Sequence, residues 1–380
     1  MSDVVVLGTS FTSIPIIKAL LKKGFTVTTV GRDRNEPGHL LSKNQIICDY
    51  ADWKLLLSLL SDVEIKAIIP TCNDVSYLSA AHVASNLQIY YPDTPEIVRI
   101  MHTKEKFKAL LRDLNVRTPV QYSLDDPEYP LIVKPVDSFS GKGCSVVRDK
   151  AKLKEAIEKA RIVSRSGEII AEQFIDGSLH SVSTFILEGG KRHIHFFVDE
   201  YTYTGGFSVV SSKIPSNLGR HVRLEVEHFQ EKIIDGARLT NGLLHTQFLA
   251  DENGAHVIET MRRAPGDLFG EQIKLVTNFD YWSAYVDGFF EKPATKNLYQ
   301  KHTIRVLKSV TRNIVGAQNP VEVMSGVSII DLGRGIEGIE YHPLKKSGES
   351  LGSLPSDKAG VLFIVYQNGE IFNVPNSSVI

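Results

Sequence analysis

From Asp3 to Leu87 short apolar runs alternate with amphipathic stretches, and this alternation restricts the fold more than any other feature of the chain. "DVVVLG" predicts a strand, "SIPIIKALLKKG" a helix and "FTVTTVG" a second strand. "ADWKLLLSLLSDV", "IKAIIPT" and "VSYLSAAHVASNL" continue the theme as helix, strand and helix. Parallel strands need long crossovers, and a helix is the usual one, so the succession predicts a doubly wound α/β domain. Ser13 is placed to cap the first helix, Pro15 lies in its first turn, and Gly24 follows its end. The domain is expected to span residues 1–93.

The pattern then changes. "TPEIVRIMHTKEKFKALLRDLNVRTP" predicts one long connecting helix over 94–119, closed by Pro119. Beyond it hairpins interleave with helices: "EIIAEQFI" as a strand, "SVSTFILEGGKRHIHFFV" as a hairpin, "RLEVEHFQEKIIDGARL" as a helix. An α+β domain over 94–295 is therefore expected, followed by a small β-rich domain over 296–380, where "VLFIVYQNGEIFNV" carries an Asn-Gly hairpin signal. A chain of 380 residues is too long for one core, in keeping with this division.

Charge and composition exclude several classes. Lys+Arg is 43 against Asp+Glu 44, a net charge of -1 with no basic cluster, so nucleic acid is not an expected partner. Apolar runs are interrupted by Lys, Thr or Ser before they reach membrane-spanning length, and "MSDVVVLG" has no basic leader region. Cys48, Cys72 and Cys144 are far apart, which argues against a zinc site or disulfide framework and for a cytoplasmic location.

A doubly wound sheet invites a dinucleotide reading, tested at the first strand-helix turn, "GTSFTS". The fingerprint needs glycines for the turn, the pyrophosphate approach and helix packing. Gly8 supplies one, but Ser10 and Ser13 occupy the other positions; Asp33 could serve as a ribose acid or as an ordinary loop aspartate.

"PLIVKPVDSFSGKGCSVV" poses a sharper question. Alternation puts Ile132 and Lys134 on one side of a strand, and Leu131 and Val133 on the other. A lysine on an apolar strand needs a partner, and the Ser/Gly loop after it gives up backbone entropy. Gly141 and Gly143 permit positive φ, so backbone N–H groups could converge on phosphate oxygens while Lys134 supplies charge. The alternative is a plain hairpin with a surface lysine. The loop lacks P-loop spacing.

In its order of elements the chain resembles the ATP-grasp superfamily over about residues 1–295. The resemblance implies that Lys104, in "HTKEKFKALL", and Lys134 hold phosphates. It makes "SFSGKG" a flap over them, with Ser138, Ser140, Gly141 and Gly143 contributing. "EQFI" matches the adenine hinge, implying contacts from Glu172, Gln173 and Ile175, and His180 stands where many members place a ribose-binding acid.

The family's carboxylate hairpin is matched by "GLLHTQFLADENGAHVIETMRRAPGD", with Gln247 and Glu259 as implied magnesium ligands. An Asn253-Gly254 turn would pair Phe248 with Glu259. A three-residue loop, Glu252-Asn253-Gly254, with Gly254 left-handed and a bulge, would pair Gln247 with Glu259, and this is the expectation. Met261 replaces the family's asparagine, and a thioether is a poor ligand for a hard cation. Either one metal is held, or another oxygen substitutes, Asp267 being nearest; or Met261 is a packing residue in a degraded site. Arg262 and Arg263 must point opposite ways on a strand. The family match aims Arg263 at the transferring phosphoryl group, leaving Arg262 as a surface ion pair. "YTYTGGFSVVSSKIPSNLG" resembles the loop over the substrate site.

The implied function is that of an ATP- and Mg²⁺-dependent ligase. It activates a small-molecule carboxylate as an acyl phosphate and joins it to an amine, with Lys134 and Arg263 as catalytic residues. The rivals are a non-catalytic ATP sensor, a Rossmann oxidoreductase, and a bicarbonate-using carboxylase or carbamoyl-phosphate-type enzyme. A homodimer is the base-rate expectation for assembly.

Overall fold

The computed structural model describes residues 4–138, 141–202, 206–266, 268–292, 308–314, 336–343 and 360–366. The N-terminal domain comprises β1 (Val4–Leu7), α1 (Ile14–Lys22), β2 (Val27–Gly31), β3 (Asn44–Ile47), α2 (Trp53–Leu60), β4 (Ala67–Pro70) and α3 (Asp74–Leu87). Its strands are all parallel in the order β3-β2-β1-β4. All four side chains of β1 are buried, and alternation divides them between the two faces. Val4 and Val6 pack with Ile16, Ile17 and Leu20 of α1; Val5 and Leu7 pack with Leu56, Leu60 and Ala80 of α2 and α3. This is the doubly wound arrangement expected from the alternation. Ser13, however, does not cap α1. A 3-10 turn over Phe11–Ser13 precedes the helix, and the Ser13 hydroxyl donates to the Ser10 carbonyl instead.

The expected single linker helix is two: α4 (Pro95–His102) and α5 (Lys104–Asp113). Thr103 between them is extended, φ −98 and ψ 116, which ends one helix and turns the chain into the next. Lys104 thereby becomes the first residue of α5.

Next come β5 (Gln121–Tyr122), β6 (Leu131–Pro135), β7 (Ser145–Val147), α6 (Leu153–Val163) and β8 (Ile169–Gln173), which build an antiparallel sheet in the order β5-β8-β6-β7. Leu131, Val133, Val147 and Ala171 pack beneath Leu153, Ala156 and Ala160 of α6. The opposite face carries Ile132, Lys134 and Glu172.

The remaining elements are β9 (Ser178–Leu187), β10 (Arg192–Thr202), β11 (Val209–Ile214), α7 (Arg220–Gly236), β12 (Gly242–Asp251), β13 (Gly254–Met261), α8 (Phe269–Thr277), α9 (Tyr281–Asp287), β14 (Lys308–Ile314), β15 (Ile336–Pro343) and β16 (Gly360–Tyr366). Their strands form one sheet, β13-β12-β9-β10-β11-β14-β16-β15. One face packs Val182, Leu244 and Phe248 against α5 and α7; the other sets Phe185, Val198 and Leu243 against α8 and α9. The described strands of 296–380 do not make a sheet of their own. β14 pairs with β11, so these strands cover what would otherwise be an exposed sheet edge. The Asn-Gly signal near the C-terminus lies outside the described residues.

Candidate active site

Lys104, Lys108 and Lys134 gather at the β5-β8-β6-β7 sheet, around Pro135 and Glu172. Lys104 reaches across to donate to the Pro135 carbonyl at 3.3 Å. Burial pushes its ammonium pKa down, Lys134 pushes it further, and Glu259 acts in the opposite sense, which places all three charges within one electrostatic neighbourhood. Lys134 projects from the face of β6 that also carries Ile132, its side chain 14% exposed, and lies 2.5 Å from Glu172 Oε2. Glu172, 2% exposed, is also paired through Oε1 with Lys108. Burial alone would raise the Glu172 carboxyl, but Lys134 and Lys108 together hold it below the usual range. The Glu172 side chain is thus committed to two lysines.

The flap glycines have the geometry that their positions require. Gly141 has φ +68, and a Cβ there would lie 2.3 Å from Phe207 Cβ, so only glycine lets this loop rest against Phe207. Gly143 has φ +77. The Ser138 hydroxyl donates to the Lys142 carbonyl at 2.8 Å, closing the loop on itself, while Ser140 lies outside the described residues. At the hinge the N–H groups of Gln173 and Phe174 are taken by the Val120 and Pro130 carbonyls. The N–H of Ile175 has no partner among the described residues, leaving a backbone donor for a ligand.

His180 departs from its expected ribose role. Its Nδ1 is 2.9 Å from Asp199 Oδ1 and its Nε2 is 2.6 Å from the Ser178 hydroxyl. Phe248, its cross-strand partner, stacks on the ring. Because His180 is adjacent to Ser181, which pairs with Gln247, its side chain lies on the opposite sheet face from Gln247. Both nitrogens are used inside the protein.

Gln247 pairs with Glu259 across β12 and β13, as expected, but by a different device. The tip is a two-residue loop, Glu252-Asn253, closed by the pair Asp251–Gly254, not the three-residue loop. Counting from that tip, Phe248 meets Val257 and Gln247 meets Glu259, so the extra residue is a bulge at Ile258. The bulge brings both oxygen-bearing side chains to one face. Glu200 of β10 and Ser181 of β9 join them there by register. Ser181 is fully buried, and its hydroxyl has no hydrogen-bond partner among the described residues.

This donor set fits magnesium. The ion takes hard oxygen ligands, uses few protein carboxylates and completes its shell with water and phosphate oxygens. Glu259 and the Gln247 carbonyl are such donors, and no group of three or more His, Cys, Asp or Glu side chains able to hold a metal occurs among the described residues. Met261 is 8% exposed and packs into the interior, where its thioether contributes volume rather than ligation. Asp267 lies outside the described residues.

The two adjacent arginines do separate, but Arg262 is no surface pair. It is 1% exposed and donates from Nε to Asp93 Oδ2 at 2.7 Å and from Nη2 to Oδ1 at 3.2 Å. Its remaining N–H groups reach the Leu243 and Asn241 carbonyls. Arg263 donates from Nε to Asp74 Oδ1 at 2.6 Å, and His102 Nδ1 lies 3.0 Å from the same oxygen. The Asp74 side chain is 53% exposed, and His102 and Arg263 hold its carboxyl below the usual range. The N-terminal domain therefore orients the guanidinium and leaves its Nη2 without a partner among the described residues. Lys108, Asp74, Asp93 and Glu200 escaped sequence reasoning. Only Lys108 left a signal, one helical turn after Lys104.

Residues 101–264 match the family described as the ATP-grasp domain. The chain carries an ATP-grasp domain. Among curated proteins, the C-terminal section of the carbamoyl phosphate synthase large chain of Methanopyrus kandleri is 28% identical over 185 residues, 45% of this chain and 34% of that protein. The formate-dependent phosphoribosylglycinamide formyltransferase of Paraburkholderia xenovorans is 30% identical over 186 residues, 46% of either chain. The chain thus spans less than half the length of these relatives. Among solved structures, the L-amino acid ligase of Bacillus licheniformis superposes with a TM-score of 0.78 at 17% identity, covering 97% of this chain and 94% of that one. That likeness shows a shared fold over nearly the whole chain. No helix among the described residues is long and apolar enough to cross a membrane.

Proposed function

We propose that the protein is an ATP-dependent ligase that activates a small-molecule carboxylate as an acyl phosphate and joins it to an amine. The observation that carries the reading is the Ile258 bulge, which sets Gln247 beside Glu259 on the face whose charge Lys104 senses. A carboxylate oxygen forms a bond to the γ-phosphorus of ATP as the β–γ bridge breaks, releasing ADP. The amine nitrogen then bonds to the acyl carbon, phosphate departs, and the amine gives up a proton.

Little covalent chemistry falls to the protein; positioning and charge neutralisation carry the rate. Lys104 and Lys134 neutralise the phosphates. Lys134 leaves Glu172 to do so, and Lys108 stays behind to compensate the buried carboxylate. Arg263, held by Asp74, directs its open edge at the transferring group. Gln247 and Glu259 would hold magnesium, which when bound spreads the charge developing on the phosphate oxygens. The flap glycines and the Ile175 N–H provide backbone contacts to the nucleotide.

Screening carboxylates, bicarbonate and amines for stimulated ADP release tests the reading. An acid–amine pair that raises turnover is expected, and Lys134→Ala abolishes it with little change in the thermal melt. Turnover retained by Lys134→Ala refutes the assignment. ATP binding without ADP release for any pair identifies a sensor, and stimulation by bicarbonate alone identifies a carboxylase.

A further inference from the structure

Gln247 raises a question that Glu259 does not. A carboxylate offers oxygen at both ends, whereas an amide offers oxygen at one end and an NH₂ group at the other, and only the oxygen can ligate a hard cation. Something must decide which end faces the site. Gln247 pairs with Ser181 of β9; Leu179, two residues away on the same face, pairs with Glu200 of β10. The two long side chains meet across that face, with Gln247 Nε2 2.5 Å from Glu200 Oε2. Glu200 is 7% exposed, so water does little to loosen the contact.

An ionised carboxylate can only accept. The end of Gln247 that touches it must be the NH₂ group, and the carbonyl oxygen is turned the other way. We infer that Glu200 is a positioning residue that fixes the amide orientation of Gln247 so that Oε1, not Nε2, is presented to the cation. The inference rests on the proposed metal role of Gln247. Partners behind metal ligands commonly fix ligand orientation, and their loss typically costs 10–100-fold in metal affinity.

The test is a double-mutant cycle read by Mn²⁺ binding, followed by electron paramagnetic resonance in the presence of ADP, with thermal melts to confirm folding. Glu200→Gln is nearly isosteric but presents both a donor and an acceptor, so Gln247 can flip. Mn²⁺ affinity is expected to fall roughly tenfold, within the range for such partners. In a Gln247→Glu background the ligand has no wrong end and instead repels Glu200. There Glu200→Gln should leave affinity unchanged or raise it, a reversal that a general charge effect cannot produce.

Wild-type affinity in Glu200→Gln overturns the inference. So does weakening of equal size in both backgrounds, which assigns Glu200 a purely electrostatic role. A different failure marks the reading beneath it: wild-type protein that binds no Mn²⁺ sensitive to Glu259→Gln has no metal site here, and the inference falls with it.

Discussion

Asp93→Asn is expected to cost far more than a single lost negative charge on a surface. The Asp93 and Arg262 side chains are both 0% exposed. Oδ2 accepts from Arg262 Nε at 2.7 Å and from the Tyr77 hydroxyl at 2.7 Å, and Oδ1 accepts from Arg262 Nη2 at 3.2 Å. Asparagine keeps the shape but removes the charge, and its NH₂ group must confront at least one of these donors. The guanidinium then stays buried without a counter-charge, keeping the Leu243 and Asn241 carbonyls and at most the single asparagine oxygen as acceptors. Removing one partner of a buried ion pair costs about 3–5 kcal/mol, and the two surviving carbonyls favour the lower end, about 3 kcal/mol. Against a total of about 5–15 kcal/mol this is a large fraction. The chain has 2 tryptophans, Trp53 in the N-terminal domain and Trp282 in α9, so single-tryptophan variants can follow the two regions separately in urea. That separation matters because a multidomain chain need not unfold in one step. Both transitions should move to lower urea, since Asp93, at the end of the N-terminal domain, is tied to Arg262 just past β13. Asp93→Asn combined with Arg262→Met should be more stable than Asp93→Asn alone, because the stranded charge is gone. A single variant within about 0.5 kcal/mol of wild type, or a double variant that simply adds the two costs, would refute the argument.

The parts of the fold that were legible in the sequence are those in which local pattern and tertiary role agree. β1, β2 and β4 could be read because the sheet buries each on both faces and helical stretches lie between them in the sequence, whereas the edge strand β3, Asn44–Ile47, is polar at its start and mostly exposed and left no such pattern. Lys134 was legible for the same reason: Leu131 and Val133 are buried and Lys134 is not, the alternation a half-buried strand must show. The break between α4 and α5 was not. Thr103 is neither glycine nor proline, and two short helices on either side of one extended residue leave nearly the pattern of one long helix. The hairpin failed more instructively. Its pairing followed from what the site needs, but the extra residue that this requires can sit anywhere between the tip and Glu259. Turn chemistry at "DENG" says nothing of a bulge four residues beyond Gly254. Arg262 and Arg263 were expected to alternate on a strand, but β13 ends at Met261 and both lie in the bend after it, where the burial of Arg262 depends on Asp93, 169 residues away in sequence. Glu200 was silent because it acts through another side chain whose place only the folded sheets define, and Lys108 left no more than its spacing from Lys104.

Two further expectations concern charge at the site. Asp74→Asn should lower turnover with little change in the KM for ATP, since it disorients Arg263 and not the lysines. It should also flatten the acid limb of stability. A carboxyl held below its unfolded value of 3.8 contributes stability above that pH and loses it as pH falls below, so a variant lacking the group should be less sensitive there; an unchanged acid limb counts against the pairing. Lys108 makes the last and most specific case. Burial brings its ammonium down to about 8, with Glu172 opposing and Lys134 adding to the fall. As pH rises through that value Lys108 loses its proton, and Lys134 becomes the sole cation on Glu172. Releasing Lys134 to a phosphate would then strand a buried carboxylate, so ATP should bind more weakly above about pH 8 than below it. Loss of folding cannot imitate this. A lysine whose folded pKa lies below its unfolded value of 10.5 binds fewer protons in the native state between the two, so its contribution to stability rises across the same window. Lys108→Met should bind ATP weakly at every pH and lack the inflection, whereas Lys108→Arg, ionised throughout, should keep the affinity and also lack it. Titrating a fluorescent ATP analogue against the three proteins decides the matter: an inflection near pH 8 that survives in Lys108→Met would mean that another group controls the release of Lys134.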